Sequence, residues 1–593
     1  VVLPQNWLFL TSYKKFREDL LKNNTFNVLA RLGPGAFETI SGEVVKAILL
    51  ILSREDKNQP SGLFAEEKGG NPHLIRGLDV SALRTAKEKA QQLITTEIQE
   101  VEQAKQLENP DAKILLEEMK KLELLHNFAF SYQGIKTGDD ARYRFKFWEI
   151  YISSDFWLPF QGTVKENCNF GGLSDVIDWR NDGIHHARRQ GLSAWGKWGA
   201  SVSQMGQLPC SIYFGIPYDS NVSIIIPKDN SNTVSVFSYC SSNEYVNQVR
   251  KIDPSLAATN AAMSQVPFDL EYWRKVAEEK YPNGLPKPYS DDPTQWIFHG
   301  HPAPAGHPLQ VAVARLLGYR WPAETDEKME LAYEARDWVK KCDQLLSYAD
   351  EDGIVCIPSV RGEAPAADRL LNLLAAAYDT RWSTDKLSQL LKQANHEGKT
   401  LETWLRDKFF SQHCKLFHHR PFIWHIWDGL PDGFAALVNY HKFNYKNLET
   451  LIYLYIADWS KRQKDDMASG LDGAEERLAA AENLKKKLEM ILAGENPYDI
   501  FVRWKPLEQQ PIGWNPDLND GVRLNIRPLM TVPEVRMKGA GVLRDRPNIN
   551  WKKDRGTDVD SAPWYHVFKG ERINDYHLSL AEKQTAREKN KGE

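Results

Sequence analysis

The sequence predicts an α/β front, followed by an α+β module and then mainly helical regions. Three observations predict this order. The apolar runs Val28–Leu32 and Val44–Leu52 have the length and composition of strands covered on both faces, with a helical pattern ahead of them. Residues 131–250 are dense in aromatics, glycines and short β-like runs such as Ser223-Ile224-Ile225-Ile226. Residues 265–460 carry mainly helical periodicity.

Five segments are expected. In 1–60, Val1-Val2-Leu3-Pro4 reads as the end of a buried strand, and further chain is expected before Val1. The helix after it is expected to be capped by Ser12 and to bury Tyr13, Phe16 and Leu20, and Gly33-Pro34-Gly35 turns the chain between the two apolar strands. Segment 61–130 is expected to be a helical hairpin or spacer, because Ser81–Leu125 is rich in Ala, Glu, Lys, Gln and Leu and breaks near Asn109-Pro110. Segment 131–260 is the β-rich module and 261–470 a mainly helical domain. Segment 471–593 opens with a charged helix, Leu471–Leu492, expected to offer a solvated face. After a helix-ending turn at Glu495-Asn496-Pro497-Tyr498, little periodicity remains, and the rest is expected to wrap over other domains.

A chain of 593 residues is too long for one core. Its 42% hydrophobic and 26% charged content is globular, which excludes wholesale disorder and a collagen-like fibre. The formal net charge of -4 gives no global attraction to nucleic acid, so a DNA partner must be met by a local basic surface. The six cysteines, Cys168, Cys210, Cys240, Cys342, Cys356 and Cys414, are scattered without a CxxC pair, as in a protein with reduced thiols. No apolar run reaches the roughly 18–20 residues of a membrane span, and the start lacks a basic region followed by an apolar one. A cytoplasmic location and no membrane partner are therefore expected.

Val1-Val2-Leu3-Pro4-Gln5-Asn6-Trp7-Leu8-Phe9-Leu10, then Phe16-Arg17, then Leu32-Gly33-Pro34-Gly35-Ala36-Phe37-Glu38 form a series. In that order they resemble the later motifs of γ-class adenine-N6 DNA methyltransferases. Tyr132–Phe145, Arg315–Pro322, Ile357–Leu370, Arg420–Gly429 and Gly513–Pro528 resemble the phage-defence members of that class. The nearest groups are the methyltransferases of bacteriophage exclusion (BREX, phage growth limitation) and DISARM, and the Eco57I-like enzymes. The resemblance implies that the front strands are the C-terminal part of a Rossmann-like methyltransferase sheet and that 131–260 is a target-recognition domain. It further implies site-specific methylation of adenine N6 in double-stranded DNA, in phage defence or restriction-modification, with S-adenosylmethionine as donor, held mostly outside this chain. An N-terminal methyltransferase half, on the same polypeptide or another, and other phage-defence proteins are the implied protein partners.

Methylating the exocyclic amine of adenine requires the base to leave the duplex. Phe37 occupies the place where the family stacks a ring on the flipped base; a core anchor is the alternative. Trp7 is a second candidate for that pocket, with plain packing as the alternative, and Gly33, Pro34 and Gly35 would let the backbone approach the substrate or simply make a tight turn. Lys136, Thr137, Arg142 and Arg144, set among glycines, are candidates for DNA phosphates and base edges, as are Arg188 and Arg189 beside His185-His186 and near Trp195, Lys197 and Trp198. Ordinary surface charge on a hairpin accounts for them equally.

No catalytic residue is expected in this chain. It contains neither Asn-Pro-Pro-Tyr nor Asp-Pro-Pro-Tyr, and no glycine-rich loop of methyl-donor type, so it is not expected to methylate by itself. No metal site is expected, because His413-Cys414 with His418-His419 lacks a second ligand pair at zinc spacing. Phosphate-loop, serine-hydrolase and PD-(D/E)xK patterns are missing as well. A non-catalytic DNA-binding or scaffolding subunit is the rival expectation.

Overall fold

The computed structural model describes residues 1–38, 46–54, 72–116, 123–151, 156–532, 541–549 and 579–591. They divide into two compact units: residues 1–131, 204–209 and 225–282 in the first, and residues 132–203, 210–224 and 283–593 in the second. The expected module 131–260 is thus not one body. The chain passes from one unit to the other inside the strands Ala129–Gln133 and Val222–Pro227.

Unit 1 is built on a five-stranded mixed sheet. Its strands are β1 (Val2–Pro4), β2 (Asn24–Gly33), β3 (Ala47–Arg54), β4 (Leu74–Asp79) and β5 (Gln99–Glu102), in the order β1-β3-β2-β4-β5. Only β2 and β4 run parallel. The expected strands near Val1, Val28 and Val44 are present, although Val44 and Val45 lie outside the described residues. Coverage on both faces holds for β2 but fades along β3, where Ile51 is exposed.

The expected helical hairpin is replaced by a helix, Ala86–Thr95, followed by β5. Composition favours helix across that stretch, but Gln99-Glu100-Val101-Glu102 pairs with β4 and points Val101 into the core, so tertiary pairing overrides local propensity. Thr85 and Glu88 close the helix start with a reciprocal capping box.

Helix α1 (Lys14–Asn23) differs from expectation in its buried face and its cap. Ser12 sits inside a 3₁₀ turn, Thr11–Tyr13, and no side chain caps the helix. Tyr13 and Phe16 are exposed, whereas Arg17 and Leu21 point inward. Arg17 is fully buried and spends its guanidinium on four backbone carbonyls. Nη1 donates to Trp7 O at 2.5 Å and Leu10 O at 2.8 Å, Nη2 to Asp111 O at 2.7 Å, and Nε to Asp111 O at 3.3 Å and Ala112 O at 3.1 Å. The carbonyls belong to two irregular turns that no sheet ladder satisfies, one of them with left-handed residues Asp111 and Ala112. Arg17 therefore fixes the loop after β1 against the loop after β5.

Unit 2 carries the antiparallel strand pair Trp198–Ser203 and Cys210–Phe214 and two three-stranded antiparallel sheets. In one, Asp175–Asp178 lies between Arg144–Lys146 and Trp157–Phe160; in the other, Ala435–Asn439 lies between Ile354–Cys356 and Ile423–Trp427. The second sheet sits within the region expected to be mainly helical, and its β-branched and aromatic strands are buried. The helix Ala474–Ala493 buries Ala481, Leu484, Leu488 and Ile491, a stripe at helical spacing, so it is amphipathic rather than solvated all round. It ends at left-handed Gly494, just ahead of the expected turn at Asn496-Pro497. Described parts of the C-terminal segment pack onto this unit: Trp514 Nε1 donates to Phe443 O at 3.1 Å, and Asn519 Oδ1 accepts from Trp157 Nε1 at 2.8 Å. Among the described residues no helix is long and apolar enough to cross a membrane.

Replacing Arg17 by Leu takes the side-chain donor from the carbonyls of Trp7, Asp111 and Ala112, leaving Leu10 O only the Tyr13 amide, and is expected to destabilise unit 1 by about 3 kcal/mol. Limited proteolysis along a urea titration checks this: fragments from residues 1–116 should appear at lower urea than in the parent, while those from 283–532 should not move.

Candidate functional site

At one end of the unit 1 sheet, Pro4, Ala47 and Gly33 lie in one register row across β1, β3 and β2. The loop Gln5–Leu10 and the turn Gly33-Pro34-Gly35 therefore leave the sheet at the same end, two strand spacings or roughly 10 Å apart.

Both turn glycines have positive φ, +67° at Gly33 and +69° at Gly35. A Cβ on Gly33 would come within 2.7 Å of Ser81 Cβ, and one on Gly35 would collide with Arg84 O. The close approach that these glycines permit is to the chain's own loop Ser81–Arg84. Phe37, just beyond the turn, is 38% exposed and has no aromatic partner among the described residues. It is a presented ring rather than a core anchor. Trp7 is the opposite case, 7% exposed within the apolar core of the sheet and edge-on to Phe16 at 5.7 Å. Its faces belong to the protein interior and not to an open pocket.

The open volume at this end of the sheet lies beside the other loop. A cavity of about 280 Å³ is lined by Gln5, Asn6, Phe9, Lys46, Lys113 and Asp253 among others, and neither Phe37 nor the glycine turn contributes to it. Residues 252–265 close it from a distant part of the chain. Sequence reasoning missed this cavity, because its walls come from four separate stretches with no shared local signal.

In unit 2 the expected DNA-contacting residues separate into two sets. Lys136 and Arg188 are backbone partners, each amide donating to the other's carbonyl at 3.0 Å, and both side chains are exposed, as is Arg189. Arg142 lies over the Tyr143 ring at 4.9 Å, and Tyr143 in turn stacks on His185 at 4.3 Å. These form a ledge of cations and aromatics. Burial lowers the pKa of His185 and His186, so both rings stay neutral near pH 7 and the ledge's charge rests on its Lys and Arg.

Thr137 and Arg144 fall away from that set. Thr137 is buried and bonded to Asp140. Arg144 is bound to both Asp175 and Asp219, and Lys146 reaches Asp175 at 2.6 Å. Burial opposes ionisation of Asp175, yet Arg144 and then Lys146 more than offset it and hold its carboxyl below the usual range. The charge of Arg144 is matched inside the protein and is not offered to a phosphate. Both carboxylates lie far off in sequence, which is why its basic neighbours misled. His413, from the sequence considered for zinc, has both ring nitrogens engaged: Nε2 accepts from the Ile423 amide, and Nδ1 faces Gln310 Oε1, both at 3.1 Å.

No protein-family model matches the chain. A stretch of 60 residues is 45% identical to a curated protein from Escherichia coli O9:H4 (strain HS). That protein is the adenine-specific methyltransferase BrxX. The match covers 10% of this chain and 5% of BrxX. Among solved structures, the type IIL restriction-modification enzyme MmeI in complex with DNA aligns at 10% identity and a TM-score of 0.28, over 65% of this chain and 49% of its own. The type IIG restriction endonuclease BpuSI aligns at 10% identity and a TM-score of 0.19, over 47% of this chain and 41% of its own. The chain thus spans under half the length of each of these structures, and scores this low fix no shared fold.

Two substitutions separate structural from surface charge. Arg144→Met leaves Asp175 and Asp219 short of a cation and is expected to cost about 3 kcal/mol, whereas Lys136→Met should stay within about 0.5 kcal/mol of the parent. Urea unfolding of the two variants measures the contrast.

Proposed function

We propose that this chain takes part in site-specific methylation of adenine N6 in DNA, within a phage-defence or restriction-modification system. The observation that carries the reading is the 60-residue match to an adenine-specific methyltransferase. In it, Phe37 stacks on the everted adenine, and Lys136, Arg142, Arg188 and Arg189 hold the phosphate backbone of double-stranded DNA. Phe37 suits the task because its ring is presented beyond a turn made rigid by packing against Ser81 and Arg84. Base–aromatic stacking contributes about 1–3 kcal/mol and offsets part of the unstacking cost. Thr137, Arg144 and Trp7, first grouped with these residues, support the two sites from within.

The residues present do not fit the methyl donor, S-adenosylmethionine. The sequence holds no glycine-rich loop of methyl-donor type, and the glycine turn at the sheet's end packs against Ser81 and Arg84 instead of leaving room for such a group. No step through the donor is derived for this chain, and a front half that carries the donor site, on this polypeptide or a partner, completes the proposal. The missing Asn-Pro-Pro-Tyr favours a second reading, a DNA-binding or scaffolding subunit that performs no chemistry.

The chain, mixed with such a front half, duplex DNA and labelled donor, is expected to place label on adenine; no label on adenine would leave the scaffold reading. Phe37→Ala should lower turnover about tenfold or more with little change in duplex affinity. Replacing Lys136, Arg188 and Arg189 together by Ala should weaken binding to all duplexes alike and flatten the salt dependence, log K against log salt, by about 3 in slope. Fluorescence anisotropy across a salt series reads that slope.

A further inference from the structure

The turn that precedes Arg188 and Arg189 holds a backbone conformation that side chains resist. Asn181 (φ 50°, ψ 46°), Asp182 (φ 56°, ψ 27°) and Gly183 (φ 66°) are left-handed in succession, whereas such residues ordinarily occur singly. A conformation of this kind persists only where its surroundings fix it, and it concentrates at sites where function needs a set geometry. Here Arg189 Nη1 donates to Asp182 O at 2.7 Å, the His186 amide donates to Gly183 O at 3.0 Å, and His186 Nε2 donates to Asp178 O at 2.8 Å. Beneath the turn, a Cβ on Gly183 would come within 2.6 Å of the Trp179 ring. With that ring filling the inner side, Ile184 is held outward and is 78% exposed. Trp179 packs against Trp195 at 4.9 Å close by, so apolar cover is at hand and the turn keeps Ile184 from it. An isoleucine left in water contributes little to folding.

We propose that Ile184 is a wedge that enters a base step of double-stranded DNA and bends the duplex; the inference rests on the DNA reading of the ledge beside it. Charge selects the partner. The Arg189 guanidinium lies against the turn, and His185, next in the chain, carries the stacked Tyr143 ring with Arg142 over it. Arg188 and Lys136 follow, joined through backbone. The neighbouring acids are engaged within the protein, Asp178 by Arg180, Asp139 by Arg503 and Asp140 by Thr137. Asp182 is exposed, but Lys136, Arg142, Arg188 and Arg189 outweigh it. A cationic rim around one apolar projection fits a partner that is anionic outside and apolar within, which describes base pairs stacked behind phosphates. A protein partner needs about 800 Å² from each side, of which one isoleucine supplies little. Apolar side chains inserted this way unstack a step and kink the duplex, and pyrimidine–purine steps yield most readily. Because the turn is already set, little ordering entropy is lost on insertion.

The test uses the full chain and a duplex with a central run of alternating TA steps, a donor and an acceptor dye at its two ends, and a fluorescent adenine analogue within the run. Binding is expected to raise energy transfer as the ends approach, and to raise the analogue's emission as a step unstacks. Ile184→Ala should lose both signals at saturating protein while leaving the melting temperature of the chain unchanged, because the side chain is exposed. Ile184→Leu, which keeps the apolar bulk, should retain both. A chain that binds no duplex overturns the wedge together with the DNA reading. A parent chain that binds the duplex without bending it, or an Ile184→Ala variant that keeps both signals, overturns the wedge alone.

Discussion

The buried guanidinium of Arg17 is the constraint on which unit 1 depends. A cation in an apolar core is expensive unless it is well hydrogen-bonded, and here five hydrogen bonds, two of them sharing the Nε–H, run to the carbonyls of Trp7, Leu10, Asp111 and Ala112. Those carbonyls lie in loops too irregular to pair within a sheet. The arginine replaces a missing ladder and holds two loops in register that are about a hundred residues apart. Trp7 can then pack inward while its neighbours Gln5 and Phe9 are turned to an open volume.

The glycine turn follows similar logic at the next strand but one. Gly33 and Gly35 adopt left-handed backbone so that the turn can press against Ser81–Arg84, and a side chain at either position would meet that segment. The turn is therefore rigid and the ring that follows it is exposed. A stiff turn with an exposed aromatic suits a transient planar partner better than a mobile loop, because little ordering entropy is lost on contact.

Parts of this architecture were legible in the sequence because they depend on local pattern. The three front strands, the glycine turn, the strand at Ser223–Ile226 and the end of the helix near Gly494 all follow from periodicity or turn chemistry over a few residues. What escaped depends on partners distant in sequence. The period-two Gln99–Glu102 sits within helix-forming composition, and only pairing with β4 reveals it as a strand. Phe16 looks like the buried residue of α1 until the four carbonyls that claim Arg17 are known. Arg144 reads as a DNA contact until Asp175 and Asp219 are seen to neutralise it, whereas Lys136 and Arg188 keep their exposure because their pairing uses backbone alone. The cavity had no signal at all, since residues 5–12 and 252–265 share no motif.

The central claim is that the glycine-turn ring and the Lys136–Arg188 ledge are surfaces that meet DNA. Hydrogen–deuterium exchange of the chain with and without duplex DNA tests it most directly. The account predicts added protection at residues 33–38, 133–143 and 184–190, and none in the sheet around Ala435–Asn439. Protection confined to other segments, with those three unchanged under saturating duplex, would contradict it.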